Sequence, residues 1–251
     1  MIDRESSAAR SWWVLPLVVG VGAAILSWRS LPEFDLGWQL AGGKWLLMYR
    51  HFPEFDPLHA AQRPWQMYSW LFSLLLAGVF SFAQFQGLQV LQLVMIWGCL
   101  TALLFLFRRV TLPSNSIVEL LVMAMVVVLF SPFLYLRPQL LSAILFLFVL
   151  VLLETDQRPL LKIAFVTVCW VQVHVFWIFA PLLCCYYGVM RADRQKLLGG
   201  AAMLLCGLLS PLGLANYAVL WEHATDHRVA NRMIAELQPL SAVHGLYLVA
   251  S

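Results

Sequence analysis

The chain has 251 residues, of which 62% are hydrophobic and only 12% are charged, about half the charged fraction of an average soluble domain (about 25%). This composition excludes an ordinary soluble globular protein, and a net charge of +3 is too small and too scattered to indicate nucleic-acid binding. A membrane-spanning helix needs about 20 mostly apolar residues, and several runs in this chain meet that requirement. These runs do not alternate apolar and polar residues as the strands of a membrane barrel do. The sequence therefore predicts an all-α, polytopic transmembrane helical bundle in which residues 1–251 form one domain.

In chain order, the predicted membrane segments are seven apolar runs, at residues 12–28, 67–83, 88–107, 117–136, 140–153, 163–190 and 197–221. No small-residue cleavage pattern precedes Arg29, so we interpret the first run as an uncleaved helix rather than a signal peptide. The five cysteines lie inside these runs and lack the spacing of metal ligands, so we interpret them as buried apolar residues.

The distribution of basic residues determines how these runs cross the membrane. If every run crossed once, the basic residues would divide about evenly between the two sides. We therefore predict that residues 67–83 enter without crossing, because residues 67–107 offer about 62 Å of helix, which is tight for two crossings and a turn. We also predict that residues 163–190 form two short helices that turn near His174. This topology places residues 29–66, Arg137, His174 and the tail after Pro211 on one outer face.

The polar stretch at 29–66 contains the tetrapeptide PEFD twice, at 32–35 and 53–56. Between the copies, residues 36–50 predict an amphipathic helix whose apolar side chains face lipid while Lys44 and Arg50 reach the headgroups. Three aromatic residues that follow are typical of a membrane interface: Trp65, Tyr68 and Trp70. We therefore predict an amphipathic loop on the outer surface between the first two membrane segments, with an aspartate at each end of its helix.

Each candidate polar residue also has a purely structural interpretation. Asp35 has the character of a helix N-cap, and Asp56 before Pro57 is typical of a turn. Arg137, between two apolar runs, is either a snorkelling topology marker or a paired cation. His174, in an apolar run, is either a core histidine or part of a site on the outer face.

Taken in order, these segments resemble integral-membrane glycosyltransferases of the GT-C fold, and most closely their bacterial, mannosyltransferase-like members that use polyprenyl-phosphate sugars. The first outer loop of that family carries an Asp, one or two Trp, a glycine-containing helix and a second Asp, which Asp35, Trp38 and Asp56 match. Further similar segments are YLRPQLLS at 135–142, CWVQVHVFW at 169–177, LSPLGLANY at 209–217 and IAELQPL at 234–240.

The chain departs from the family pattern at several positions. Ser69 stands where an acidic residue often precedes the Trp, and Gln172 and Val175 replace an Asn and a Gly around His174. The chain also ends earlier than family members do. We therefore expect an N-terminal fragment or a short variant of the family.

The resemblance implies transfer of a sugar from a polyprenyl-phosphate donor, held in membrane lipid, to an unidentified acceptor at the periplasmic face of a bacterial inner membrane. Such a transfer needs a carboxylate base for the acceptor hydroxyl and cations for the leaving phosphate. The resemblance thus implies Asp35 as the catalytic base, with Asp56 assisting it, orienting the acceptor or binding a divalent metal ion. The implied substrate-binding residues are Arg137 as the phosphate clamp, together with Gln139, His174, Trp38, Lys44 and Trp70.

Two other functions are alternatives. A non-catalytic membrane subunit or lipid-binding scaffold of the same fold is favoured by the altered motif positions and the early end. A small-molecule transporter is disfavoured, because Glu119 is the one charged residue inside a predicted membrane segment and it stands near the helix start.

Overall fold

The computed structural model describes residues 20–22, 25, 34–58, 65–110, 125 and 134–225. In chain order its helices are α1 (Phe34–Tyr49), α2 (Trp70–Val110), α3 (Pro138–Thr155), α4 (Leu160–Val171), α5 (Phe179–Met190), α6 (Arg194–Met203) and α7 (Ala215–Thr225), with 3-10 helices at Val175–Ile178 and Leu204–Leu209. The prediction of an all-α fold is confirmed for this part of the chain. Most of the predicted helix at 12–28, most of the run at 117–136 and the segment at 234–240 lie outside the described residues.

Among the described residues, two helices are long and apolar enough to cross a membrane, Trp70–Phe107 within α2 and Pro138–Thr155. In the most apolar window of each, only 33% of the residues are buried inside the protein. A core helix of a soluble protein buries most of its apolar residues, whereas a lipid-facing helix leaves them on the outside. Length, composition and exposure therefore support association with a membrane.

A break in the backbone divides α2 into two helical segments. Ala83 (φ −133°, ψ 15°) and Gln84 (φ 50°, ψ −147°) both leave the helical conformation. The break falls where the sequence predicts that the entering segment 67–83 ends and before the predicted crossing segment 88–107. The two predicted segments are thus separate helical segments in the structure, and which of them crosses a membrane stays a prediction.

Helix α1 packs along the first segment of α2 through small and polar residues. Gly43 approaches α2 so closely that a Cβ atom there would lie 2.0 Å from the backbone oxygen of Ser73. One turn earlier, Gln39 Nε2 donates to Ser69 Oγ at 3.0 Å, and the Ser73 hydroxyl donates to Gln39 Oε1. Small residues at a helix–helix contact are typical of packing in membranes.

The helix predicted at 36–50 is present as Phe34–Tyr49, but its apolar residues are distributed around the helix rather than on one face, so the predicted amphipathic pattern is not confirmed. The large side chains at its C-terminal end are exposed: Leu47, Met48 and Tyr49. The Lys44 ammonium lies over the Phe80 ring of α2, 4.5 Å from its centroid. The helix therefore buries Leu36 and Gly43 inside the protein and exposes large apolar side chains towards its C-terminal end.

The remaining helices form the other half of the described structure. The apolar run 163–190 is broken at His174 into α4 and α5, as predicted. Trp170 of α4 is fully buried and donates from Nε1 to Ser142 Oγ of α3 at 2.9 Å. The apolar run 197–221 is not one helix, because a 3-10 segment and a turn that contains Pro211 interrupt it. Proline lacks the backbone N–H that a continuing helix requires.

Candidate functional site

The beginnings of α1, α2 and α3 meet around an open cleft of about 160 Å³, which we call the Asp35 cleft. Side chains from α1, from α3 and from the segment just before α2 line it: Asp35, Trp38, Gln39, Trp65, Gln66, Met67, Tyr68, Ser69, Pro138 and Gln139. The cleft therefore combines the predicted outer loop with the start of the Arg-Pro-Gln helix.

An ion pair stands at this cleft. Asp35 lies in the first turn of α1, and Arg137 is the extended residue just before Pro138, the first residue of α3. Proline at this position favours a helix start because its φ is already helical. Arg137 Nε lies 3.3 Å from Asp35 Oδ2, with 21% and 48% of the two side chains exposed. A pair this exposed contributes little to stability, but it leaves both groups within reach of a ligand.

The second aspartate is held beside the same end of α1. Trp38, one turn after Asp35, donates from Nε1 to Asp56 Oδ1 at 2.6 Å, and the backbone N–H of Leu58 donates to the same oxygen at 2.9 Å. Along the chain the two aspartates flank the helix, as predicted. In space the chain folds back after α1, so that Asp56 lies near the beginning of the helix and is linked to the cleft through Trp38.

Tyr68 lines the Asp35 cleft and packs against two histidines, His174 and His223. Its ring centroid lies 5.8 Å from that of His174 and 5.2 Å from that of His223 on α7. Burial, together with the negative charge of Asp35, raises the pKa of Tyr68 to about 12. Its hydroxyl is therefore neutral at physiological pH and can donate a hydrogen bond.

His174 is buried, with 3% of its surface exposed. Its Nδ1 accepts a hydrogen bond from the backbone N–H of Phe176 at 3.4 Å and so caps the 3-10 helix. Burial, and then repulsion from His223, lowers the pKa of His174 to about 3. With Nδ1 as acceptor, the neutral imidazole carries its proton on Nε2. In the structure His174 caps the 3-10 helix and packs against Tyr68, and its burial disfavours the cationic form; its role in substrate binding stays a prediction.

The other predicted substrate-binding residues divide into two groups. Trp38 and Gln139 line the Asp35 cleft, and Arg137 borders it. Trp70 instead donates from Nε1 to Gln172 Oε1 at 3.0 Å, and Lys44 lies against Phe80. The structure does not bring Trp70 or Lys44 to the cleft.

Sequence reasoning missed the neutral polar groups that line the cleft beside the ion pair. Gln39 follows Asp35 by four residues, which places both on one face of α1, and this spacing could have identified it. Ser69 stood out only as a departure from an acidic residue. It is buried and exchanges hydrogen bonds with the amide of Gln39. These groups can orient a polar ligand without adding charge.

Within the described ranges, no group of three or more His, Cys, Asp or Glu residues could hold a metal ion, and a metal-binding role for Asp56 stays a prediction. Comparison of the chain with protein-family models, with curated proteins and with solved structures found no match. Its function is therefore inferred from the chemistry of the Asp35 cleft.

Proposed function

We propose that this chain is a polytopic membrane glycosyltransferase of the GT-C type, which transfers a sugar from a polyprenyl-phosphate donor to an acceptor hydroxyl at the periplasmic face of a bacterial inner membrane. The observation that carries the proposal is the Asp35–Arg137 pair at an open cleft, placed at the beginning of helices long enough to cross a membrane. The ordered segments that resemble the family support the same conclusion.

Arg137 is the residue suited to hold the donor phosphate. A planar guanidinium offers paired N–H donors that match phosphate oxygens. In the absence of a ligand it contacts Asp35 at 3.3 Å. A bound phosphate would compete for the guanidinium, and Asp35 would then be released next to the sugar.

The size of the cleft fits the polar part of such a donor. Typical ligand pockets span about 300–1,000 Å³, whereas the Asp35 cleft offers about 160 Å³ and is open to one side. We therefore expect the phosphate and the sugar to enter the cleft while the prenyl chain stays in the membrane. Gln39 and Gln139 supply amide groups for the sugar hydroxyls.

In the proposed transfer, the acceptor oxygen forms a bond to the anomeric carbon of the sugar from the face opposite the phosphate. The bond between that carbon and the phosphate oxygen breaks, and its electron pair leaves with the polyprenyl phosphate, which Arg137 holds. The acceptor proton passes to the Asp35 carboxylate. Positioned carboxylates acting as general bases contribute about 10²–10⁴-fold to such rates.

A non-catalytic lipid-binding scaffold is the second candidate. It is favoured by the fact that both candidate acids are engaged within the chain, Asp35 by Arg137 and Asp56 by Trp38 and the amide of Leu58. In that case the cleft binds polyprenyl phosphate but transfers no sugar.

The test compares binding and turnover in the same purified protein. Binding of polyprenyl phosphate, and release of polyprenyl phosphate from radiolabelled polyprenyl-phosphate hexose and pentose donors, are measured for the wild type, Asp35→Asn and Arg137→Ala. We expect Arg137→Ala to lose both the binding of polyprenyl phosphate and the turnover of the donor. Asp35→Asn should retain binding while turnover falls at least about 100-fold.

Glu54→Gln is the matched control, because it makes the same acid-to-amide change at an exposed position of the second PEFD copy. It should leave binding and turnover unchanged. Full turnover in Asp35→Asn would refute the assignment of the base. Binding that depends on Arg137 without turnover on any donor would favour the scaffold.

A further inference from the structure

The end of α3 opposite the Asp35 cleft carries a second, basic groove of about 210 Å³ between the turn after α3 and the beginning of α6. Its lining includes Arg158, Leu160, Leu161, Asp193 and Lys196. Helix α3 has 18 residues and is therefore about 27 Å long, close to the roughly 30 Å thickness of a bilayer core. The basic groove and the Asp35 cleft thus lie about one membrane thickness apart.

Charge is unbalanced at this end of the molecule. The acidic side chains here are each paired with a cation: Glu154 with Arg191 at 3.0 Å, Asp156 with Lys162 at 2.5 Å, and Asp193 with Lys196. Arg158 and Arg194 are exposed at the same end, and neither has an acidic partner in the part of the chain that the structure describes. Among the described residues, two positive charges at this end are therefore uncompensated.

The turn that carries Arg158 is held in place before any ligand arrives. Asp156 Oδ1 accepts the backbone N–H of Arg158 at 2.9 Å, while its Oδ2 binds Lys162. The hydrogen bond from Lys162, together with that from the Arg158 backbone, lowers the pKa of Asp156. Asp156 therefore stays ionised and paired, and it fixes the backbone of Arg158 without neutralising its guanidinium.

An apolar wall stands next to this cation. Leu160 and Leu161, the first two residues of α4, line the groove with Arg158, and Leu161 is 85% exposed. A small soluble anion would make no favourable contact with the large apolar side chains beside the guanidinium. A phospholipid presents a phosphate with acyl chains next to it, which matches a cation beside an exposed leucine.

We propose that the basic groove binds the headgroup of an anionic phospholipid, with Arg158 as the anchor for its phosphate and Leu161 against its acyl chain. An anionic lipid fits better than a zwitterionic one, because Asp193 and Lys196 neutralise each other and no acidic side chain in the described ranges compensates Arg158. The groove then holds this end of α3 at the membrane surface opposite the Asp35 cleft.

The test uses the full chain in uncharged detergent, incubated with equimolar phosphatidylglycerol and phosphatidylcholine of identical acyl chains. Native mass spectrometry measures the ratio of the two lipids retained. We expect Arg158→Gln to lower the phosphatidylglycerol preference about fivefold, the contribution of one basic residue beside anionic lipid. Arg194→Gln, the matched control, removes an equally exposed charge at the same end but outside the groove lining, and it should change the ratio less than twofold.

An equal fall in both variants would overturn the proposed site, since it would show diffuse attraction between charges rather than a groove. An unchanged ratio in Arg158→Gln would overturn it as well. Displacement of phosphatidylglycerol by an equal concentration of soluble glycerol 3-phosphate would show a site for free anions, and the lipid assignment would then be wrong.

Discussion

Replacing Gly43 by alanine tests whether α1 is held against α2 in the way that positions Asp35. A Cβ at this position would lie 2.0 Å from the Ser73 backbone oxygen and 2.7 Å from Ala77 Cβ. The obstacle is a backbone carbonyl within a helix, which cannot rotate away as a side chain can. The two helices must therefore separate, and α1 carries the base of the proposed reaction with it.

The magnitude follows from two opposing terms. Overpacking costs about 1–3 kcal/mol, and the rigid obstacle favours the upper end of that range. Alanine regains about 1 kcal/mol over glycine in a helix, so we expect a net loss of about 1–2 kcal/mol. Gly37 in the same helix has no atom within 4 Å of its added Cβ, and Gly37→Ala should therefore stabilise by up to about 1 kcal/mol.

Thermal unfolding of both variants in one detergent provides the measurement. Together the two effects predict a difference of about 2–3 kcal/mol, or roughly 5–10 °C in Tm at about 2–4 °C per kcal/mol for a chain of this size. If Gly43→Ala unfolded at the same temperature as Gly37→Ala, α1 would not make this contact, and the positions of Asp35 and Trp38 would lose their support.

Two further substitutions test side chains that the fold buries or pairs. His174→Asn keeps an acceptor for the N–H of Phe176 but removes the imidazole, whose pKa falls from 6.5 to about 3 on folding. Between these two pH values the imidazole is protonated in the unfolded chain but not in the folded one, so the wild type loses stability as the pH falls from 6.5 towards 3. The variant lacks this imidazole and should lose less stability over the same window. Identical pH profiles of Tm would contradict the burial of a neutral His174. Glu154→Gln weakens the contacts with Arg191 and the Tyr187 hydroxyl. Because 50% of the Arg191 side chain and 30% of the Glu154 side chain are exposed, we expect a loss of stability below about 1 kcal/mol that shrinks as salt is added. Tm measured at low and high salt checks this, and a larger, salt-independent loss would mean that the pair is shielded from water.

The secondary structure could be predicted where hydrophobic periodicity and length limits act together. The helix at 36–50, the turn at His174 and the end of the entering segment at Ala83 follow from apolar patterning and the length that a bilayer requires. The interruption after the 3-10 segment Leu204–Leu209 was not anticipated. Composition stays apolar across it, so the hydropathy pattern contains no signal of the break other than Pro211.

The site was predictable only in part, because it is assembled from contacts distant in sequence. The ion pair joins Asp35 to Arg137, about a hundred residues later in the chain, and no periodicity relates Gln39 to Ser69. Lys44 shows the opposite case. It lies nine residues after Asp35, which is about 14 Å along the axis and half a turn out of phase, so helix geometry alone separates it from any site on the Asp35 face.

The break in α2 also has a consequence for the lipid around the protein. The segment from Trp70 to Ala83 is about 20 Å long, well short of a bilayer core of about 30 Å, and the residues around the break expose glutamine amides and aromatic rings: Phe82, Gln84, Phe85 and Gln86. Non-helical backbone and amides need hydrogen-bond partners that acyl chains lack. Local thinning of the bilayer relieves such a hydrophobic mismatch. Lipid headgroups and water should therefore lie deeper in the membrane near Gln84 than elsewhere around the protein. The protein is thus expected to deform the membrane beside α1, on the flank of the helix pair that carries Asp35.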